Sequence, residues 1–197
     1  MLNLPPATRA ILIANIVLYI LPRIVAPESF PRLELWPLQT PLFAPYQIVT
    51  YAFLHASFMH LFFNMFALYM FGRTLEESWG PRRFIVFYFA SVLAAAITQL
   101  IVTSMTGSFY PTVGASGGVF GLLLAFALYF PRQRIMLLFP PIPMPAWLFV
   151  AVYGVLELVL GVTNTQAGVA HFAHLGGMLG GALVIAWWRG TRPARLR

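Results

Sequence analysis

The sequence predicts an all-α membrane protein, a bundle of six transmembrane helices with both termini in the cytoplasm. Three observations predict it. Of the 197 residues, 60% are apolar and 9% charged, where a soluble domain carries about 25% charged residues. The apolar residues are gathered into six runs. The arginines fall between those runs with a strong bias to one side.

The spans are expected at about 7–26, 47–72, 83–105, 115–130, 143–162 and 169–188. A helix needs about 20 apolar residues to cross about 30 Å of hydrocarbon. The first run is shortened by Pro22 and Arg23; it lacks a small-residue cleavage site and reads as a span rather than a signal peptide. The fourth, from Ala115 to Phe130, reaches only about 24 Å at 1.5 Å per residue, so one of its ends must begin inside the bilayer. The segment 27–46 is too apolar for a solvated loop and too rich in proline for a span. It is expected in the outer interface, with Trp36 at headgroup depth.

With six spans, one side of the membrane receives Arg9, Arg73, Arg82, Arg83, Arg132, Arg134, Arg189, Arg192, Arg195 and Arg197, and the other only Arg23 and Arg32. Positive charge stays inside, so the second, fourth and sixth spans enter from the outer face. No internal repeat is visible, and residues 1–197 read as a single domain. All twelve basic residues are arginine. That bias points to a high-GC bacterium and hence to a multi-pass protein of a bacterial inner (cytoplasmic) membrane.

Composition excludes several classes. A soluble globule lacks the polar residues it needs here, and disorder requires low hydrophobicity and high charge. The net charge of +7 lies between apolar runs and does not read as a nucleic-acid surface. Without cysteine there is no disulfide, thiol nucleophile or Cys-bound metal.

Polar side chains inside spans are costly and are candidates for function. They are His55, His60 and Asn64 in the second span, Gln99 in the third, Ser116 opening the fourth, Glu157 in the fifth, and His171 and His174 opening the sixth. His60 is expected about 13 residues into its span, roughly 20 Å along the axis, with Asn64 one turn on and on the same face. His174 is about five residues into its span, counting from the run's first residue. Ser116 and His174 are therefore expected to meet in the outer half, near His60 and Asn64. Gly117 and Gly121 form one small-xxx-small face, and Gly176, Gly177, Gly180 and Gly181 a doubled one, which lets backbones approach closely. Gly114 permits a tight turn or a positive φ.

A serine needs a base to become a nucleophile, and His174 is the nearest. Asp is absent from the chain, so a two-member Ser–His pair is expected. The Ser116 backbone N–H, the His60 ring and the Asn64 amide supply donors for a developing oxyanion. The parts make a serine hydrolase acting inside the bilayer. No metal is expected, because no carboxylate or thiol joins the histidines, and no cofactor is expected. Gln99 is expected in an interhelical hydrogen bond or at a water site. Glu157 is expected to be structural, His55 to hold the neighbouring loop, and His171 to stand outside the chemistry.

Three segments carry a family resemblance: H-A-S-F-M-H-L-F-F-N from His55 to Asn64, G-A-S-G from Gly114 to Gly117, and A-H-L-G-G-M-L-G-G from Ala173 to Gly181. In this order they resemble the rhomboid intramembrane serine proteases, across essentially the whole chain. The resemblance implies a six-helix bundle that cleaves transmembrane segments of other membrane proteins near the outer face. It implies Ser116 as nucleophile, His174 as base, and His60 and Asn64 at the oxyanion hole. It also implies Glu76 as a carboxylate tying the second span to its neighbours, and Phe120 as an aromatic packed on the imidazole. The glycines Gly114, Gly117, Gly177 and Gly181 match the family pattern. The family's Trp-Arg pair in the first loop has no match, since Pro37 follows Trp36. The expected partners are membrane lipid and transmembrane substrates, not nucleic acid. The alternatives are an inactive rhomboid-fold protein that binds or chaperones client helices, and a proton-coupled transporter built on Glu157 and the histidines.

Overall fold

The structure, a computed structural model of the chain, describes residues 4–26, 29–136, 141–163, 165 and 169–190. Arg192, Arg195 and Arg197, which contribute to the charge bias, lie outside the described residues. In chain order the helices are α1 (Pro6–Val25), α2 (Phe30–Leu33), α3 (Gln47–Thr50), α4 (Phe58–Ala67), α5 (Arg73–Trp79), α6 (Pro81–Thr106), α7 (Ser116–Tyr129), α8 (Ala146–Val162) and α9 (His171–Gly190). The all-α expectation misses one small element. Strands β1 (Arg134–Met136) and β2 (Pro143–Pro145) pair antiparallel, Ile135 opposite Met144.

The run expected as one span over 47–72 is broken. A 3₁₀ turn, Tyr51–Phe53, continues α3; the chain then opens at Leu54, and α4 starts afresh at Phe58, bent by 95° from the first part. The break has a local cause, because Ser57 is extended and its side chain accepts the His60 backbone N–H at 3.1 Å, an N-cap. His60 thus lies one turn into its helix, not 13 residues into a span. A wide π-helical turn at Leu68–Gly72 joins α4 to α5.

By length and hydropathy, two of the described helices can cross a membrane, α1 and α6, and the bent pair 47–53 with 58–79 would make a third. The expected 143–162 run yields a helix of 17 residues, because Pro143 and Pro145 sit in the hairpin before it. That helix covers only about 25 Å. The helix of the last run, α9, is not among those that meet the hydropathy requirement; its face carries six polar or small residues, His171, His174, Gly176, Gly177, Gly180 and Gly181.

At the centre stands α7, whose sides are nearly all buried, as expected of a helix apolar all round. Against it and α6 packs α9, whose doubled glycine stripe sorts onto two partners. Gly176 and Gly180 face α6 at Thr98 and Ala94; Gly177 meets Gly117 of α7, and Gly181 meets Phe87 and Gly121. The N-terminus is fastened through Glu76 of α5, 2% exposed. Its carboxylate accepts from the Ala7 N–H at 2.8 Å, the Thr8 N–H at 2.6 Å and the Thr8 hydroxyl at 2.7 Å. Those are the free donors of the first turn of α1, where negative charge is favoured.

The 29–46 segment is ordered from one side chain. Gln47, fully buried, donates to the carbonyls of Arg32 and Leu42 and accepts from the N–H groups of Trp36 and Ala44. All four hydrogen-bonding positions of its amide are filled.

A methyl built on Gly177 would run into the carbonyl oxygen of Gly117, which is backbone and cannot rotate away. Overpacking costs about 1–3 kcal/mol where side chains can yield. Gly177→Ala is therefore expected to lower the unfolding temperature in detergent clearly. Gly190→Ala, where a methyl meets nothing within 4 Å, is expected to leave it unchanged.

Candidate active site

Ser116 is the first residue of α7, and the loop before it is held from two directions. Leu35 and Thr112 exchange backbone hydrogen bonds at 3.0 and 2.9 Å, and the Gly114 N–H donates to the Tyr51 carbonyl at 2.9 Å. The Tyr51 hydroxyl in turn donates to the Val92 carbonyl of α6 at 2.8 Å. Gly114 has φ of +131°, a conformation that L side chains rarely adopt. A Cβ there would sit 2.8 Å from His60 Nε2 and 3.5 Å from Ser116 Oγ. Gly114 is thus the gap across which the His60 ring and the serine hydroxyl approach each other.

On α9, His174 places Nε2 2.8 Å from Ser116 Oγ. Phe120, one turn along α7 from the serine, stacks flat on the imidazole, with ring centroids 4.2 Å apart and planes 5° apart. Asn64 is buried one turn beyond His60, and its amide donates to the His60 carbonyl at 2.9 Å. His55 is fully buried and meets the His60 ring edge-on at 5.0 Å. Its carbonyl accepts from Arg23 of α1 at 2.6 Å. Gly117 is pressed against Ala95 of α6, and Gly177 and Gly181 bring α9 against α7. A cleft of about 870 Å³ opens onto Ser116, His174, His60, Asn64 and Phe120. Glu34, from the segment before α3, also lines it, and partial burial raises its carboxyl above the ordinary value.

Two residues expected outside the chemistry are in contact with it. Glu157 Oε2 lies 2.9 Å from His174 Nδ1 and 2.7 Å from His171 Nδ1. The reading that no carboxylate joins the histidines is therefore overturned. The reason is tertiary: α8 and α9 are antiparallel neighbours, and 17 residues of sequence separate groups that touch. One signal pointed this way. Glu157 is the one carboxylate of its run, and His171 and His174 share a helix face at i,i+3. The ligand atoms of Glu157, His171 and His174 lie within 4.8 Å of one another and are the group of described residues that could hold a metal ion. Gln99 does not form the expected interhelical bond through its amide nitrogen, which has no partner among the described residues.

The arrangement presents a hydroxyl on an imidazole in the lining of an apolar cleft, with backbone donors at a helix start beside it. Residues 43–190 match the rhomboid domain. The chain belongs to the rhomboid family. It is 34% identical to rhomboid protein 1, mitochondrial, of Saccharomyces cerevisiae over 139 residues, which are 69% of this chain and 40% of that protein. It is 32% identical to RHOMBOID-like protein 12, mitochondrial, of Arabidopsis thaliana over 164 residues, 76% of this chain and 47% of that protein. Rhomboid protease GluP of Bacillus subtilis is 28% identical over 146 residues, 72% of this chain and 25% of that protein. The chain thus spans less than half the length of these three relatives. It is a rhomboid-family, polytopic membrane protein of mostly helical fold.

These relatives correct the expected location. The bacterial inner membrane rested on arginine usage alone. Mitochondrial and chloroplastic names prevail among the similar proteins, and they point to an organellar membrane instead. Arginine-for-lysine bias serves the positive-inside rule equally well in any membrane, so it carries no information on which one.

Gly114→Ala combines a disfavoured φ, worth about 1–3 kcal/mol of strain, with displacement of the His60 ring. It is expected to slow the reaction of Ser116 with a fluorophosphonate probe, read by in-gel fluorescence, while the protein remains folded by circular dichroism.

Proposed function

We propose that this protein is an intramembrane serine endopeptidase that cleaves transmembrane segments of other membrane proteins near their outer ends. The observation that carries the reading is the 2.8 Å contact between Ser116 Oγ and His174 Nε2, across 58 residues of sequence and in the lining of an apolar cleft. In this reading the Ser116 hydroxyl donates its proton to His174 Nε2 as Oγ attacks the scissile carbonyl carbon. The carbonyl oxygen takes up the negative charge and is met by the Ser116 backbone N–H, the His60 ring and the Asn64 amide. Collapse of the tetrahedral adduct breaks the C–N bond, and the imidazolium returns its proton to the leaving amine. Water then hydrolyses the acyl-enzyme through the same imidazole.

Several features support the reading. Phe120 holds the ring plane from one side. Gly114 keeps the space between His60 and Ser116 open. The cleft wall is largely apolar, with Phe63, Phe66, Met70, Phe149 and Tyr153 contributing, which suits an apolar helical segment as substrate. In the same reading the chain is a single domain of six membrane-embedded segments, with both termini cytoplasmic and the short helices reaching the site from the outer face.

Ser116→Ala and His174→Ala are each expected to abolish cleavage of a reporter transmembrane protein, a loss of at least about 10⁴-fold, with folding retained. Cleavage that persists in Ser116→Ala would contradict the reading. The orientation has its own test, which the cysteine-free sequence makes clean. Single cysteines at Arg9 and at Leu38 are expected to react with an impermeant maleimide from opposite sides of sealed vesicles.

A further inference from the structure

We infer that Glu157 and His171 extend the pair into a four-member array in which Glu157 positions and charges the imidazole of His174, and His171 keeps Glu157 ionised. This rests on the serine-protease reading above and deepens it. The hydrogen bonds set the protons. Ser116 has the O–H, so His174 Nε2 accepts, and the remaining ring proton is on Nδ1, which donates to Glu157 Oε2 at 2.9 Å. The side chain of Glu157 therefore fixes both the tautomer and the tilt of the ring, with Phe120 fixing its plane.

His171 completes the account. Its Nε2 lies 3.2 Å from the Thr165 carbonyl, which only accepts, so Nε2 bears a proton. Its Nδ1 lies 2.7 Å from the same Glu157 oxygen. One further proton is held in that short contact; carried on the His171 side, it leaves Glu157 an ionised carboxylate that accepts from both rings, and the Glu157–His171 pair is neutral as a unit. A lone carboxylate at this depth would be costly; a neutral pair is not. Both side chains are at most 9% exposed. When His174 takes the proton from Ser116, its positive charge faces the carboxylate directly, while His171 sits farther off, with ring centroids 6.4 Å apart. The nearer negative charge prevails, so the imidazolium is stabilised. The other titratable groups near His174 are His60 from α4, Tyr153 from α8 through Phe120, and Glu34 across the cleft. Among the described residues, Nδ1 is hydrogen-bonded to Glu157 alone.

The test uses the full chain in detergent or lipid and follows the rate of Ser116 labelling by a fluorophosphonate against probe concentration. Glu157→Gln preserves shape and an acceptor but removes the charge. The saturating rate is expected to fall at least about tenfold, as for the supporting acid of other serine hydrolases, with the probe's half-saturation unchanged. His171→Phe removes the second hydrogen-bond partner of Glu157 Oε2, and the saturating rate is expected to fall in the same direction with the half-saturation again unchanged. The double variant is expected to be no slower than Glu157→Gln alone, since His171 acts through that carboxylate. A purely structural role would lower the labelled fraction and leave the saturating rate of the remainder in place; a saturating rate for either single variant equal to that of the wild type overturns the inference. Should Glu157→Gln fail to fold, His171→Phe decides alone. Wild-type labelling that is absent, or that survives in Ser116→Ala, would instead sink the protease reading itself.

Discussion

Everything at the site depends on how closely α9 can approach α7. Gly177 lies directly on the backbone of Gly117, and Gly181 on Gly121, so two helix axes come together where any side chain would hold them apart. In a membrane no hydrophobic drive favours one apolar contact over another, and close packing of small residues takes its place. Ser116 and Gly117 are consecutive, and His174 precedes Gly177 by one turn. The glycine contact therefore brings the hydroxyl and the imidazole to 2.8 Å as a consequence of the same packing. Gly176 and Gly180 pin the opposite side of α9 to α6, which removes the freedom to roll that would separate the pair.

Around that contact, three buried polar side chains act as fasteners, each bonded to groups of another element. Glu76 takes three donors from the start of α1. Gln47 holds four backbone groups of the 29–46 segment, whose Leu35 then pairs with Thr112 just before the serine loop. Glu157 takes two imidazoles from α9. Where water is scarce an unpaired polar group costs several kcal/mol, so each of these side chains specifies one arrangement of the elements it joins. The chain of contacts from Gln47 through Leu35 and Thr112 to Gly114 shows how a segment remote from the chemistry sets the conformation of the residue beside the nucleophile.

Much was legible in one dimension. Apolar composition and run length mark a membrane-embedded helical protein, because the hydrocarbon thickness sets a minimum segment length. The three motifs mark the residues that surround the cleft, and their glycines announce close helix contact, since a stripe at every fourth position has that meaning whatever its partner. Ser116, His174, His60, Asn64, Phe120 and Gly114 all fall within one neighbourhood of the structure.

Tertiary structure decided the rest. Hydropathy cannot see the break at Leu54–Ser57, because a capped helix start inside an apolar run leaves the composition unchanged; it moves His60 from mid-helix to the first turn. Nor can it tell that Gln47, inconspicuous in the sequence, is the centre of a loop. The carboxylate behind His174 was invisible for the same reason. Glu157 lies on a different helix, and only the antiparallel packing of α8 on α9 brings its oxygen to both ring nitrogens. Periodicity along a chain fixes which residues share a face; which faces meet is set by packing between helices, and that is where the chemistry of this site is assembled.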